Sequence, residues 1–435
     1  MDRMKSYKRW IAALALWALP LCATYSQSIE QDVREDISRA ADIYHSYEYR
    51  PTEISAAPEG YTLFYVSHFG RHGSRFLEGE ERYASPLATL RRADGKSLLT
   101  AEGERCLAIV EAMAENARSR WGELTQRGVR EHRQIAQRMY MRMPEIFAAE
   151  GTEVRSRSTL VPRCIMSMAA NNERLKELNP SLNILRDASG RWRDIFDDNR
   201  MAHRHVNAAA EKRAAEWRMR NLDPSRLMHL LFVKPGLLDR RAQVEFMQEL
   251  YTLWADEQDV DWQGESLATI LDREELIACW KCSNMRYYMP FGPSEYFVWR
   301  RHDARRAVQD LIERADAAIA DPRPSADLRF IHDSGITSMM SLMGICELDY
   351  TTTDYATLHE HWAIYRITPM ATNLQIMFYR SPASDEVLVK LLLCEREVSL
   401  PLESSDRCYR WSDVKAYLSG RIDDRKPFPR KAQAA

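Results

Sequence analysis

The chain has 435 residues, 45% of them hydrophobic and 29% charged. Those fractions exclude a fibrous repeat or a disordered chain, and the length allows roughly two or three domains at ~150 residues each. Lys+Arg 61 against Asp+Glu 63 leaves a formal net charge of -2, which excludes a general nucleic-acid binder. Within the 61 cations, 50 are Arg and 11 are Lys. Codon bias explains such an excess blandly. An anion-handling site would explain it more sharply, because a guanidinium fork matches phosphate and carboxylate bidentately.

The N-terminus carries Arg3, Lys5, Lys8 and Arg9, then an apolar run from Trp10 to Ala23, then small and polar residues near Ser26. That layout predicts an export signal over residues 1–26, too short for a membrane span, and a soluble mature chain. Export permits disulfides among Cys106, Cys164, Cys279, Cys282, Cys346, Cys394 and Cys408. Cys279 and Cys282 read as a structural disulfide or two buried thiols, since no partner at metal spacing accompanies them.

Tyr61–Val66 is β-branched and aromatic and predicts a buried strand running into a Gly-containing loop, Ser67–Phe76. Thr100–Phe147 has helical spacing with a pause at Trp121-Gly122, and Thr125 is the expected N-cap of the second helix. Residues 171–324 are charged, contain Trp and read as a mainly helical insert. Strand character returns at Leu328–Ile331, followed by His332-Asp333 and a helix over Thr337–Ile345. Leu374–Tyr379 and Val387–Leu393 predict an antiparallel hairpin, and Arg425–Lys431 a tail. The pattern predicts an α/β fold with a helical cap.

Arg71-His72-Gly73-Ser74-Arg75 is the sharpest feature. Composition alone would produce RHGxR about 0.005 times in this length. Two guanidinium forks suit phosphoryl oxygens, and a neutral imidazole between them is a competent nucleophile toward phosphorus. The loop follows a strand, where open α/β sheets bind ligands. His332-Asp333 ends another strand, and an Asp near anionic oxygens can serve as general acid for a leaving alkoxide. His68 reads equally as pocket lining or packing. His203-Arg-His205 and His359-Glu-His361 read as solvated or capping histidines, and Arg240-Arg241 as a solvated helix face.

Together, RHGSR at 71–75, Leu124-Thr-Gln-Arg-Gly128, Arg157-Ser-Thr159 with Arg163, and His332-Asp333 resemble the histidine acid phosphatases. The resemblance implies a phosphoglycerate-mutase-like three-layer sandwich with a mainly parallel sheet. A phosphatase domain would comprise residues 27–170 with 325–435, and a helical cap residues 171–324. It implies that His72 becomes phosphohistidine, that Arg71, Arg75, Arg163 and His332 hold the phosphoryl oxygens, and that Asp333 donates the proton. No metal or cofactor is implied, the arginines supplying the charge stabilisation. The partner is then a small phosphorylated substrate, met in the periplasm or outside the cell. Leu124–Phe147 and Pro162–Met168 most resemble multiple inositol polyphosphate phosphatases. Those usually carry His-Ala-Glu where this chain has His332-Asp333-Ser334, so other phosphomonoesters and sugar phosphates stay open beside phytate. A mutase of the same superfamily and a non-catalytic anion-binding protein are the alternatives; export argues against the first, and the pairing of His72 with Asp333 against the second.

Overall fold

A computed structural model describes residues 28–196 and 204–423, apart from Trp299, Pro322 and Asp406. The expected signal over 1–26, His203 and the tail from Arg425 lie outside the described residues.

Eight strands form one sheet: β1 Thr62–Arg71, β2 Glu153–Ser158, β3 Asn183–Asp187, β4 Ser325–Ile331, β5 Asn373–Ser381, β6 Ser384–Leu393, β7 Arg396–Val398 and β8 Tyr409–Arg410. Their order is β3-β2-β4-β1-β5-β6-β7, with β8 paired to β6. The half β3-β2-β4-β1 is parallel, and β5 onward is antiparallel. The longer helices are α1 Glu81–Asp94, α2 Ala101–Asn116, α3 Gln126–Arg142, α4 Pro162–Leu178, α5 Arg204–Asn221, α6 Arg240–Asp256, α7 Arg273–Phe291, α8 Arg300–Ala320, α9 Asp333–Met343 and α10 Trp411–Ile422.

Alternation along the strands builds two cores. On one face, Leu374, Ile376 and Phe378 of β5 meet Leu311 of α8, Met339 of α9 and Leu418 of α10. On the other, Ala326, Leu328 and Phe330 of β4 meet Ile135 and Met139 of α3 and Leu175 of α4. The result is the expected three-layer sandwich. A third core joins α1 and α2 to α6 and α7 through Leu90, Val110, Leu250 and Trp280. Of the residues expected as an insert, α5, α6 and α7 make helical packing beyond the sheet. β3 is an edge strand of the sheet itself, and α8 packs on the sheet.

Candidate active site

β1 and β4 lie side by side in parallel, with Arg71 opposite Ile331. Their carboxyl ends therefore deliver His72 and His332 to the same edge, with ring centroids 5.7 Å apart. The His72 N–H donates to the Ile331 carbonyl (3.0 Å), and its own carbonyl accepts from Ala371 N–H (3.0 Å). The loop is thus clamped by ladder-like bonds on both sides.

The ring of His72 is buried, and its Nδ1 lies 2.9 Å from the Gly73 carbonyl. A carbonyl only accepts, so Nδ1 carries the proton and Nε2 keeps its lone pair. Burial, then the charges of Arg163, Arg71, Arg75 and His332, hold the imidazole well below its ordinary pKa. It is neutral with a bare Nε2.

Three guanidinium groups surround it. Arg71 is fully buried and donates through Nη1 to the carbonyls of Ile43 (2.7 Å) and Thr368 (2.8 Å). Its Nε and Nη2 are buried without a hydrogen-bond partner. Arg75 donates to the Phe76 carbonyl (3.1 Å), and its Nε is likewise unmatched. Arg163 stands in the first turn of α4; its Nη2 donates to Glu78 (2.9 Å) and lies 3.4 Å from His332 Nδ1. Buried, unmatched donors are costly, and Arg71, Arg75 and Arg163, whose charges all act on the His72 ring, each keep at least one; such a cluster is suited to cradle an anion. Thr159 Oγ1 lies 3.2 Å from the other nitrogen of His332.

Asp333 opens α9. Burial pushes its carboxyl up, but Arg71, His332, Arg75 and the Ser334 N–H outweigh it and hold the pKa down at about 2. In the unliganded protein it is a carboxylate. Beyond it, a cavity of about 290 Å³ runs between Arg75, Glu78 and Asp333 and the wall of Tyr44, Arg286 and Tyr287. A larger groove of about 840 Å³ lies beside Lys390 and Glu403 and contains none of these side chains.

The six residues singled out by sequence come together here. Arg157 does not join them: it pairs bidentately with Asp310 (3.0 and 2.9 Å) inside the molecule. His68 packs on Phe330 beneath the loop, centroids 5.5 Å apart, and is not pocket lining. His359 bonds to Glu30 (3.0 Å), His361 stacks on Tyr350, and Arg241 pairs with Glu245 (2.8 Å) on the surface. Cys279 and Cys282 are two buried thiols, one of the two readings expected of them. Sequence reasoning missed Glu78, Tyr44, Arg286 and Tyr287, which sit at no diagnostic spacing and meet only through the fold.

No protein-family model matches the sequence, and no curated protein sequence matches it. Solved structures do. The multiple inositol polyphosphate phosphatase of Bifidobacterium longum in complex with inositol hexasulfate superposes with a TM-score of 0.71 at 17% identity, covering 87% of this chain and 97% of that one. The phytase from D. castellii gives 0.65 at 15% identity, covering 93% and 89%. Apo Hafnia alvei phytase gives 0.51 at 14%, covering 85% and 98%. The chain has the histidine acid phosphatase fold of these structures.

Proposed function

We propose that the chain is a phosphomonoesterase that works through a phosphohistidine on His72, with Asp333 as the proton donor. The observation that carries this reading is the neutral His72 ring, with Nδ1–H spent on the Gly73 carbonyl and Nε2 bare among three guanidinium groups. Nε2 attacks phosphorus, the N–P bond forms, and the bond to the leaving oxygen breaks. Arg71, Arg75, Arg163 and His332 hold the other phosphoryl oxygens. A phosphoryl dianion in the cradle offsets the same cations that keep Asp333 ionised, so its carboxyl rises, takes a proton and delivers it to the leaving oxygen. Water then attacks phosphorus, Asp333 accepts its proton, and phosphate leaves with His72 restored.

The substrate class we infer is phosphomonoesters, inositol polyphosphates among them. Support comes from the inositol hexasulfate complex of the Bifidobacterium phosphatase that shares the fold. In this reading α5 and α7, from the middle of 171–324, act as the cap, with Glu211, Arg286 and Tyr287 meeting the leaving group. We propose that residues 1–26 direct export; among the described residues no helix is long and apolar enough to cross a membrane.

The test is phosphate release from an aryl phosphate, sugar phosphates and inositol polyphosphates between acid and neutral pH, by the parental chain and by His72→Ala. The variant should bind inorganic phosphate but lose hydrolysis. Parental turnover by His72→Ala sinks the proposal.

A further inference from the structure

Beneath the His72 loop lies a buried knot of hydroxyls and carboxyls. Ser74 Oγ is 2.7 Å from Glu131 Oε1 and 2.7 Å from Asp259 Oδ1. Ser46 Oγ is 2.7 Å from the same Asp259 Oδ1. All four side chains are buried. Each of these three short oxygen–oxygen contacts requires one proton between the atoms. The two serines supply two. The third must sit on a carboxyl.

Glu131 is the wrong owner. Its Oε2 accepts the Ser74 N–H (2.8 Å), and its Oε1 accepts the Tyr47 N–H (3.1 Å). Both oxygens already face donors, and Arg127 Nε lies 4.0 Å from Oε1. Asp259 has the opposite surroundings: Oδ2 is buried with no partner, and Glu131, joined by Asp256 once that group ionises, presses negative charge on it. The groups facing this knot are Glu131 and Arg127 on α3, Arg75 on the loop, and Asp256 at the end of α6, the last held by the Tyr83 hydroxyl (3.2 Å).

We propose that Asp259 is a positioning residue that carries a proton at neutral pH and uses it to hold the His72 loop. The chain of donors then has one direction: Ser46 to Asp259, Asp259 to Ser74, Ser74 to Glu131. Burial, then the charges of Asp256 and Glu131, push the Asp259 carboxyl well up, in the same sense; burial raises Glu131 as well, but there the Ser74 and Tyr47 N–H groups and Arg127 oppose it. Deprotonation would leave a second buried anion beside Glu131 and free Ser74, two residues from the nucleophile. The inference rests on His72 being that nucleophile for its kinetic consequence, but not for the protonation itself.

The experiment has two arms. In the first, infrared difference spectra of the parental protein are recorded across neutral to alkaline pH, alongside Asp259→Asn and Glu131→Gln at pH 7. The protonated-carboxyl stretch that belongs to this knot should be present at pH 7, vanish in Asp259→Asn and persist in Glu131→Gln. Its persistence in Asp259→Asn overturns the proposal, whether or not the chain hydrolyses anything. In the second arm, Asp259→Asn, whose amide mimics the protonated acid as donor, should keep kcat/KM within about threefold and extend activity to higher pH. Glu131→Gln sets an amide N–H against a backbone N–H and should lose about 30-fold or more. Equal losses, or an unmoved alkaline limb in Asp259→Asn, contradict the assignment. If the parental chain releases no phosphate, the hydrolase reading fails while the infrared arm still decides the proton.

Discussion

Asp333 carries the most exacting demand of any residue in the site. Its carboxyl sits at about 2 in the unliganded protein, because Arg71, His332 and Arg75 outweigh burial, yet its proposed role requires a proton. The substrate must supply the compensating charge. Asp333→Asn should therefore slow alkyl phosphates by about 100-fold or more while costing an activated aryl phosphate less than about tenfold. Steady-state kcat on the two substrate types measures this, and equal losses would remove Asp333 from the acid role. Glu78 spends its carboxylate on the cradle, bonding Arg163 (2.9 Å) and approaching Arg75 (3.6 Å). A carboxylate so placed competes with phosphate for the same forks. Glu78→Gln should lower the inhibition constant of inorganic phosphate by about threefold; a rise would mean that Glu78 serves chiefly to orient Arg163. Such residues explain the limit of sequence reading at this scale. His72 and its flanking arginines lie within five consecutive positions, so their proximity was legible. Glu78 contributes through a fold-dependent approach to α4, for which no linear spacing exists.

At the scale of elements, the loop depends on how closely α3 approaches it. Thr125 caps α3 as expected, accepting the Gly128 N–H (3.2 Å), while its own N–H donates to the Ser74 carbonyl (2.9 Å). A Cβ on Gly128 would meet the Ser74 carbonyl oxygen at 2.4 Å, and one on Gly73 would meet Gly128 Cα at 2.7 Å. The two glycines give the Leu124–Gly128 and RHG motifs one shared physical reason. Gly128→Ala should cost about 1–3 kcal/mol of stability and reduce kcat by about 100-fold through displacement of His72. Urea unfolding and turnover measure the two; parental kcat in a destabilised variant would uncouple loop from helix. Strand ends were the least legible elements. β1 runs to Arg71, not Val66, because Ser67–Arg71 pairs with β4 on one side and most of it with β5 on the other. Glycines and polar residues there read as a loop, and the two-sided ladder overrides that local preference. β4 likewise starts at Ser325, three residues early, since Asp327 is satisfied in the interior by Tyr65 (3.0 Å). The helix expected over 337–345 begins at Asp333 and stops at Met343, where Gly344 adopts a left-handed φ of 70°.

Across the whole molecule, the arginine excess divides by location. A few guanidinium groups face the cradle, Arg157 and Arg329 are buried against Asp310, and many others make exposed ion pairs such as Arg91–Glu111. Buried titratable groups also shape the pH response. Burial raises Asp256 and Glu257 to about 7 and Asp42 to about 8. A raised carboxyl binds its proton more tightly folded than unfolded, so stability falls as pH climbs from the ordinary carboxylate range toward the folded value. His68 and His132, lowered to about 3 by burial, act oppositely but only below their unfolded value near 6.5. Above that pH the carboxyls set the slope alone. The thermal midpoint should therefore drop between pH 6.5 and 8, and a flat or rising midpoint would contradict the burial of these acids. The fold class was legible because strand–helix alternation and the hairpin survive averaging along the sequence. The layer each helix joins was not, as α8 and β3 illustrate, because it is fixed by long-range packing.

A covalent phosphohistidine on His72 can be trapped directly. The protein is mixed briefly with a phosphomonoester, quenched in alkali because phosphoramidates are acid-labile, and its peptides are read by mass spectrometry. A phosphoryl group on the His72 nitrogen, lost on longer incubation and missing from His72→Ala, is the predicted result. Steady phosphate release with His72 unmodified at every time point would contradict it.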